Sequence, residues 1–137
     1  MPEFNWINKA KQSVECTREI AKNKDPLEWN PLLAEDLERL AELQCIYKEY
    51  TDAVDSYIEI IDIYSKIEKD WPGSYCTELA NTYSEIAPVY NKLGLINEAI
   101  QSYDKAITLY KKLAQLDPTV NKDISRCLKA QAKLYEL

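Results

Sequence analysis

The stretch YSEIAPVYNKLGLINEAIQSYDKA, residues 83–106, determines the fold class of this chain. Its first half carries apolar residues at helical spacing up to Leu93, and the next residue is Gly94, which suits the left-handed conformation at a helix end. Pro88 lies inside that first half, where a proline costs about 3 kcal/mol because it removes a backbone hydrogen bond. The stretch predicts two helices joined at a glycine but leaves open whether Pro88 ends the first of them. The repeat register described below places Pro88 in the interior of one helix.

Three equally spaced prolines show that this stretch belongs to a repeated unit. Pro26, Pro72 and Pro118 are each 46 residues apart. In the same register, residues 27–72 and 73–118 are identical at ten positions. A long-period repeat of this kind is typical of stacked helical units.

Each unit is predicted to hold two antiparallel helices, with an incomplete unit at either end. The predicted organisation is a single domain, 1–137, made of an N-terminal half-unit, two repeats and a C-terminal half-unit: 4–22, 27–72, 73–118 and 119–137. In the first repeat Asn30-Pro31 reads as a helix start, an N-cap followed by proline at the first helical position. A break near Glu49–Thr51 leads into the second helix. About six helices result, so the fold class is all-α.

The charge and hydropathy of the chain exclude several functions. The 137 residues carry a net charge of −6, whereas a nucleic-acid surface needs a basic excess. No window approaches the 18 apolar residues of a membrane span, and no signal-peptide pattern opens the sequence. We therefore expect a cytoplasmic protein that neither binds nucleic acid nor inserts into a membrane.

The residue types that usually support metal binding or catalysis are scarce. The four cysteines are far apart without a CxxC pair, and histidine is absent. A zinc site is therefore not expected, and the commonest general base and partner of a Ser or Cys nucleophile is missing. No glycine-rich phosphate loop is present either. We expect no metal, no cofactor and no enzyme activity.

The second repeat resembles the tetratricopeptide repeat, TPR, at all eight signature positions. These are Tyr83, Ile86, Ala87, Tyr90, Gly94, Ala99, Tyr103 and Ala106. The first repeat matches less completely, since Gln44, Lys48 and Ile60 replace the usual Tyr, Gly and Ala. With a 46-residue period, the chain is similar to the longer-period TPR subclass found in kinesin light chain-like and bacterial regulatory arrays.

The resemblance implies a right-handed superhelix of helix pairs whose concave groove binds a peptide or helix of a partner protein. By resemblance, the groove residues come from the first helix of each unit. They are Glu35, Glu38, Glu42 and Cys45, then Asn81, Ser84, Pro88 and Asn91, then Arg126, Lys129, Lys133 and Glu136. Such a groove changes from acidic through neutral to basic, and we expect the acidic end to hold a basic part of the partner.

Two other functions stay open at this point. The half-units at the ends each leave a helix face unpaired, so the chain could self-assemble or form a homo-oligomer, or serve as a regulatory domain of a larger protein. The third hypothesis is an enzyme, for which the candidate catalytic residues are a lone cysteine or the pair Glu38 and Glu42. Carboxylates four residues apart on a helix are usually solvated, which disfavours that reading.

Overall fold

The computed structural model describes residues 5–136, and within them the chain forms six α-helices and no strand. The helices are α1 (Trp6–Ala21), α2 (Pro26–Ile46), α3 (Tyr50–Asp70), α4 (Cys76–Lys92), α5 (Ile96–Ala114) and α6 (Asn121–Tyr135). A 3₁₀ turn, Pro118–Val120, precedes α6. The predicted all-α fold is confirmed. The first residue of the predicted 4–22 segment and the last of the 119–137 segment lie outside the described residues.

The chain divides into two compact units, 1–63 and 64–137, with the boundary inside α3. In unit 1–63, α1 packs on α2. Helix α1 is also linked to α3, because Arg18 on α1 forms a bidentate ion pair with Glu59 on α3, at 2.5 and 3.1 Å. Such paired guanidinium–carboxylate bonds fix the relative orientation of two helices as well as their distance.

A buried hydrogen bond explains one departure from the repeat signature in this unit. Gln44, where a tyrosine is usual, is buried, and its side-chain oxygen accepts a hydrogen bond from the Ser56 hydroxyl at 2.8 Å. The two side chains hydrogen-bond to each other between α2 and α3, and this bond offsets the free-energy cost of removing both groups from water. Burial at this position is kept although the aromatic ring is lost.

In unit 64–137 one apolar core joins α4, α5 and α6. Small residues occupy the contacts between α4 and α5, where Ala87 and Ala99 are fully buried. Larger side chains fill the remaining space, among them Tyr103, Ile107 and Tyr110 from α5. Alanine lets two backbones approach closely while the rings close the gaps, and dense interiors of this kind leave little room for a change of volume.

The start of α2 differs from the prediction. The helix begins at Pro26 rather than at Asn30-Pro31, and Asp25 is its N-cap, accepting a hydrogen bond from the Leu27 backbone N–H at 3.0 Å. Asp25-Pro26 is the same kind of signal five residues earlier in the sequence. Pro31 consequently lies inside the helix, where its missing N–H leaves the Leu27 carbonyl without its usual partner.

Two turns between paired helices have the same geometry although their residues differ. Gly94 follows α4 with φ +78°, and Lys48 follows α2 with φ +61°. In each turn the next backbone N–H reaches back to the helix, from Leu95 to the Tyr90 carbonyl and from Glu49 to the Gln44 carbonyl, at 2.9 and 2.7 Å. This arrangement is a Schellman-type helix end, in which glycine is favoured.

We expect Lys48→Gly to raise the free energy of unfolding by about 1 kcal/mol, because it relieves the left-handed strain of a residue with a Cβ. Urea unfolding followed by circular dichroism measures the effect. The matched control is Gly94→Ala, which should lower stability by about 1 kcal/mol through conformation alone, since an added Cβ would meet nothing within 4 Å. Equal stability of Lys48→Gly and the parent chain would contradict the strain at this turn.

Candidate functional site

An open pocket of about 980 Å³ lies among α4, α5 and α6 in unit 64–137. Helix α4 contributes Pro88 and Asn91 from its last turns, and α5 contributes Tyr103. The rest of the lining comes from α6. The volume is at the upper end of the range of ligand pockets in proteins, large enough for several side chains of a bound segment.

One wall of the pocket is cationic. Lys122, Arg126, Lys129 and Lys133 all line it and are exposed to solvent. They follow one another at spacings of four, three and four residues, which places them on one face of α6. Asp123 pairs with Arg126 at 3.2 Å. The wall therefore presents a row of positive charges along the length of the helix.

The floor of the pocket is apolar. Tyr103 and Leu134 are buried members of the core of this unit, and Ala130 packs against that core while it lines the pocket. Burial raises the pKa of the Tyr103 phenol, so this group stays a neutral hydroxyl at physiological pH. A surface with an apolar floor and a polar rim is typical of sites that bind a side chain in its centre.

A buried glutamine holds the cationic helix in place. Gln131 on α6 is only 7% exposed, and its amide nitrogen donates to the Ile100 carbonyl at 3.1 Å and to the Asp104 carboxylate at 2.6 Å. Both acceptors lie on α5, so the position of α6 is set by directed bonds as well as by apolar packing. In the sequence, the sign of this contact is that Gln131, a polar residue, occupies a position of α6 where the helix periodicity predicts an apolar one.

Five of the residues predicted for the groove come together in this pocket. They are Pro88, Asn91, Arg126, Lys129 and Lys133. Lys122, Ser125 and Asn121 also line it and were not predicted, because the family positions used for the prediction start at Arg126 on this helix. Lys122 could have been found from its position one helical turn before Arg126.

Two predicted groove residues on α4 do not line the pocket and are used in packing. The Asn81 side-chain oxygen accepts a hydrogen bond from the Tyr110 hydroxyl at 2.5 Å. Ser84 is buried, and its hydroxyl donates to the Asn81 carbonyl at 2.8 Å. Both side chains are therefore engaged within the unit, and their role in binding stays a prediction.

The acidic residues predicted for the groove cluster on α2 in unit 1–63. Glu35 and Glu42 are exposed, and Glu38 between them is half-buried. Burial raises the pKa of the Glu38 carboxyl, and the charges of Glu42 and Glu35 raise it further. The carboxylates of Glu35 and Glu42 are therefore both close enough to Glu38 to repel its charge. That this cluster and the pocket of unit 64–137 belong to one groove stays a prediction.

We expect the Glu38 carboxyl to destabilise the fold near pH 7 and to do so less as the pH falls. Its folded-state pKa lies above the value of 4.5 for a free side chain, so protonation favours the folded state. Glu38→Gln should therefore be more stable than the parent chain by about 0.5 kcal/mol or less at pH 7, since water screens this half-exposed group.

Urea unfolding between pH 7 and pH 4 measures this difference. It should shrink as the pH falls through the raised pKa and vanish once both states are protonated. Glu28→Gln, at the start of the same helix, is the control that removes a charge outside the cluster. A gain for Glu38→Gln that is the same at every pH would contradict the electrostatic explanation.

Groups of residues suited to a metal ion do not occur in the described part of the chain. Between residues 5 and 136, no helix has the length and apolar character needed to cross a membrane. The candidate site itself consists of a cationic wall, an apolar floor and the amide groups of asparagine side chains.

Comparison with known proteins finds similarity to a repeat family over part of the chain and to a solved structure over most of it. The family profile described as tetratricopeptide repeat matches residues 80–113 and 87–120. The chain is similar in structure to BtubC (BKLC) from P. vanneervenii, a crystal structure, with a TM-score of 0.62 and 22% sequence identity. The similarity covers 95% of this chain and 50% of that one, so the chain spans about half the length of this structural relative. No curated protein matches the sequence.

Proposed function

The chain contains tetratricopeptide repeat sequence over residues 80–120, and from this premise we propose that it is a non-catalytic module that binds a peptide or helix of a partner protein. Tetratricopeptide repeats generally mediate protein–protein interaction. The proposed binding surface is the face of the first helix of each unit. It comprises Glu35, Glu38, Glu42, Asn81, Ser84, Pro88, Asn91, Arg126, Lys129 and Lys133.

The observation that carries this proposal is the pocket of unit 64–137. Five of the proposed residues from two different helices line it, around an apolar floor. A segment bound there would bury apolar side chains on Tyr103 and Leu134 while its polar groups meet the rim. Helical repeats commonly use such concave surfaces for extended partners.

Binding of a short segment by the whole chain tests the proposal. A displayed library of random peptides should yield sequences that bind the purified chain saturably. Binding should weaken in Glu38→Lys with Glu42→Lys, or in Lys129→Glu with Lys133→Glu, depending on where the peptide lies. A library that yields no saturable binder, or binders that none of these variants weakens, would contradict the proposed function.

Self-association is the second candidate function, and a specific observation favours it. On α6, Leu128 is 48% and Tyr135 is 67% exposed, on a face that a further helix would cover in a longer array. Light scattering over a range of protein concentrations separates the two functions. A constant monomer mass supports a binding module. A mass that rises with protein concentration supports self-association, provided that the double variant Leu128→Ser with Tyr135→Ser has a lower mass than the parent chain at the same concentration.

A further inference from the structure

The pocket of unit 64–137 is strongly asymmetric in charge. Its lining includes four cationic side chains, Lys122, Arg126, Lys129 and Lys133, and no carboxylate among the residues that the structure describes. Asp123 is the acidic neighbour on the same helix, and it bonds to Arg126. Three lysines of the wall therefore keep their charge available for a ligand.

The cationic wall has the length of a short extended peptide. From Lys122 to Lys133 the helix rises by about 16 Å, at about 1.5 Å per residue. An extended chain advances about 3.3 Å per residue, so the wall spans about five residues of a bound segment. The same pocket has an apolar floor, on which an uncharged side chain of the segment can pack.

We propose that this pocket binds an acidic segment of a partner protein, with carboxylates facing Lys122, Lys129 and Lys133 and an apolar side chain seated on Tyr103 and Leu134. This inference rests on the proposed function and adds the chemical class of the partner for this part of the surface. It is separate from the expectation that the carboxylates of α2 hold a basic part of the partner.

The charge of the rest of the chain favours a peptide over a nucleic acid. Residues 1–63 contain 14 acidic and 7 basic side chains, and the whole chain has a net charge of −6. A long polyphosphate would be repelled by this excess, because nucleic-acid affinity depends on many basic contacts along the backbone. A short acidic segment needs only the cations of the pocket, and the apolar floor gives it a second contact.

Three synthetic peptides and one RNA test the charge selectivity with the full chain. The acidic peptide carries six glutamates around two leucines, and in the other two peptides glutamine or lysine replaces every glutamate. The RNA is a single-stranded dodecamer. Fluorescence anisotropy should show binding of the acidic peptide at least about tenfold tighter than the glutamine peptide. Its affinity should fall as the ionic strength rises from about 0.05 M to about 0.3 M.

A matched pair of variants assigns the binding to the pocket. Lys129→Glu with Lys133→Glu should weaken the acidic peptide by about tenfold or more, as two attractive pairs become repulsive. Lys111→Glu with Lys112→Glu makes the same change of net charge on α5 outside the pocket and should change affinity by less than about twofold. Lys129→Arg with Lys133→Arg keeps the charge and should keep binding. Circular dichroism and urea unfolding check that each variant is folded.

Results other than these contradict a specific part of the proposal. If the glutamine peptide binds as well as the acidic one, the charge selectivity is wrong while the interaction module stands. If the variants on α5 weaken binding as much as those on α6, the pocket is the wrong site. Tighter binding of the RNA would make the surface a nucleic-acid site. If the parent chain self-associates without peptide and the double variant Lys129→Glu with Lys133→Glu does not, the occupant of the pocket is a second copy of this chain. If no peptide binds, both the inference and its premise fail for this pocket.

Discussion

Tyr110→Ala is expected to lower the free energy of unfolding by about 4 kcal/mol, the usual cost of removing a large buried ring. Tyr110 is 1% exposed and belongs to the core that joins α4, α5 and α6. The alanine would leave a cavity against fully buried neighbours such as Cys127, which cannot move inward without shifting a helix. The site described above would loosen as a result, because α6 carries its cationic wall.

A second variant separates the ring from its hydroxyl. Tyr110→Phe keeps the apolar contacts but removes the hydrogen bond to Asn81, and should cost about 1 kcal/mol because the amide oxygen loses its partner. Urea unfolding followed by circular dichroism and by tryptophan fluorescence measures both variants. Tyr135→Ala is the control on an exposed ring of the same unit and should change stability by less than about 0.5 kcal/mol. Similar losses for Tyr110→Ala and Tyr135→Ala would contradict this account of the core.

Pro88→Ala is expected to raise the free energy of unfolding by about 2 kcal/mol, somewhat less than the full difference between proline and alanine inside a helix. The alanine restores the N–H that can donate to the Ser84 carbonyl, and it removes the clash of the ring with that carbonyl. Pro88 is exposed, so little apolar packing is lost. The same urea unfolding experiments measure the gain.

Pro118→Ala is the control for Pro88→Ala. Pro118 is the first residue of a 3₁₀ turn, a position where no helical hydrogen bond is lost, so its replacement should not stabilise the chain. Equal effects at the two prolines would contradict the helix-interior explanation.

The same variant also tests the site. Pro88 lines the pocket together with the cationic side chains of α6, and removing the steric clash of its ring changes the backbone of α4 beside the pocket. We expect the acidic peptide to bind Pro88→Ala more weakly than the parent chain. Unchanged affinity together with higher stability would show that Pro88 is only a structural feature of α4 and has no role in the pocket.

Much of the fold could be predicted because it depends on local patterns. The apolar spacing on both sides of Gly94 predicted the two helices that the structure shows as α4 and α5, since one buried face per helix requires that spacing. The continuation of α4 through Pro88 followed from the repeat register and is confirmed. The start of α2 was misjudged because two Asx-Pro signals compete within seven residues, and local sequence does not rank them.

The candidate site was predicted only in part for a different reason. Arg126, Lys129 and Lys133 were assigned to one face of α6 by resemblance to the family positions, and their helical spacing agrees with that assignment. Whether a polar side chain faces solvent or pairs inside the unit depends on the neighbouring helix, which is why Asn81 was predicted for the groove but bonds to Tyr110. Lys122 was missed because it precedes the family positions that guided the prediction.

By itself, the sequence determined which segments form helices, except for the start of α2, and where the glycine turn lies, because helix periodicity and chain chirality act within a few residues. Only the tertiary structure decided which polar groups satisfy one another and which remain open to a ligand. Hydrogen-bond partners such as Gln131 and Asp104 are far apart in the chain and meet only when α5 and α6 pack. The pocket is likewise a property of packed helices, because its wall, floor and rim come from three separate segments.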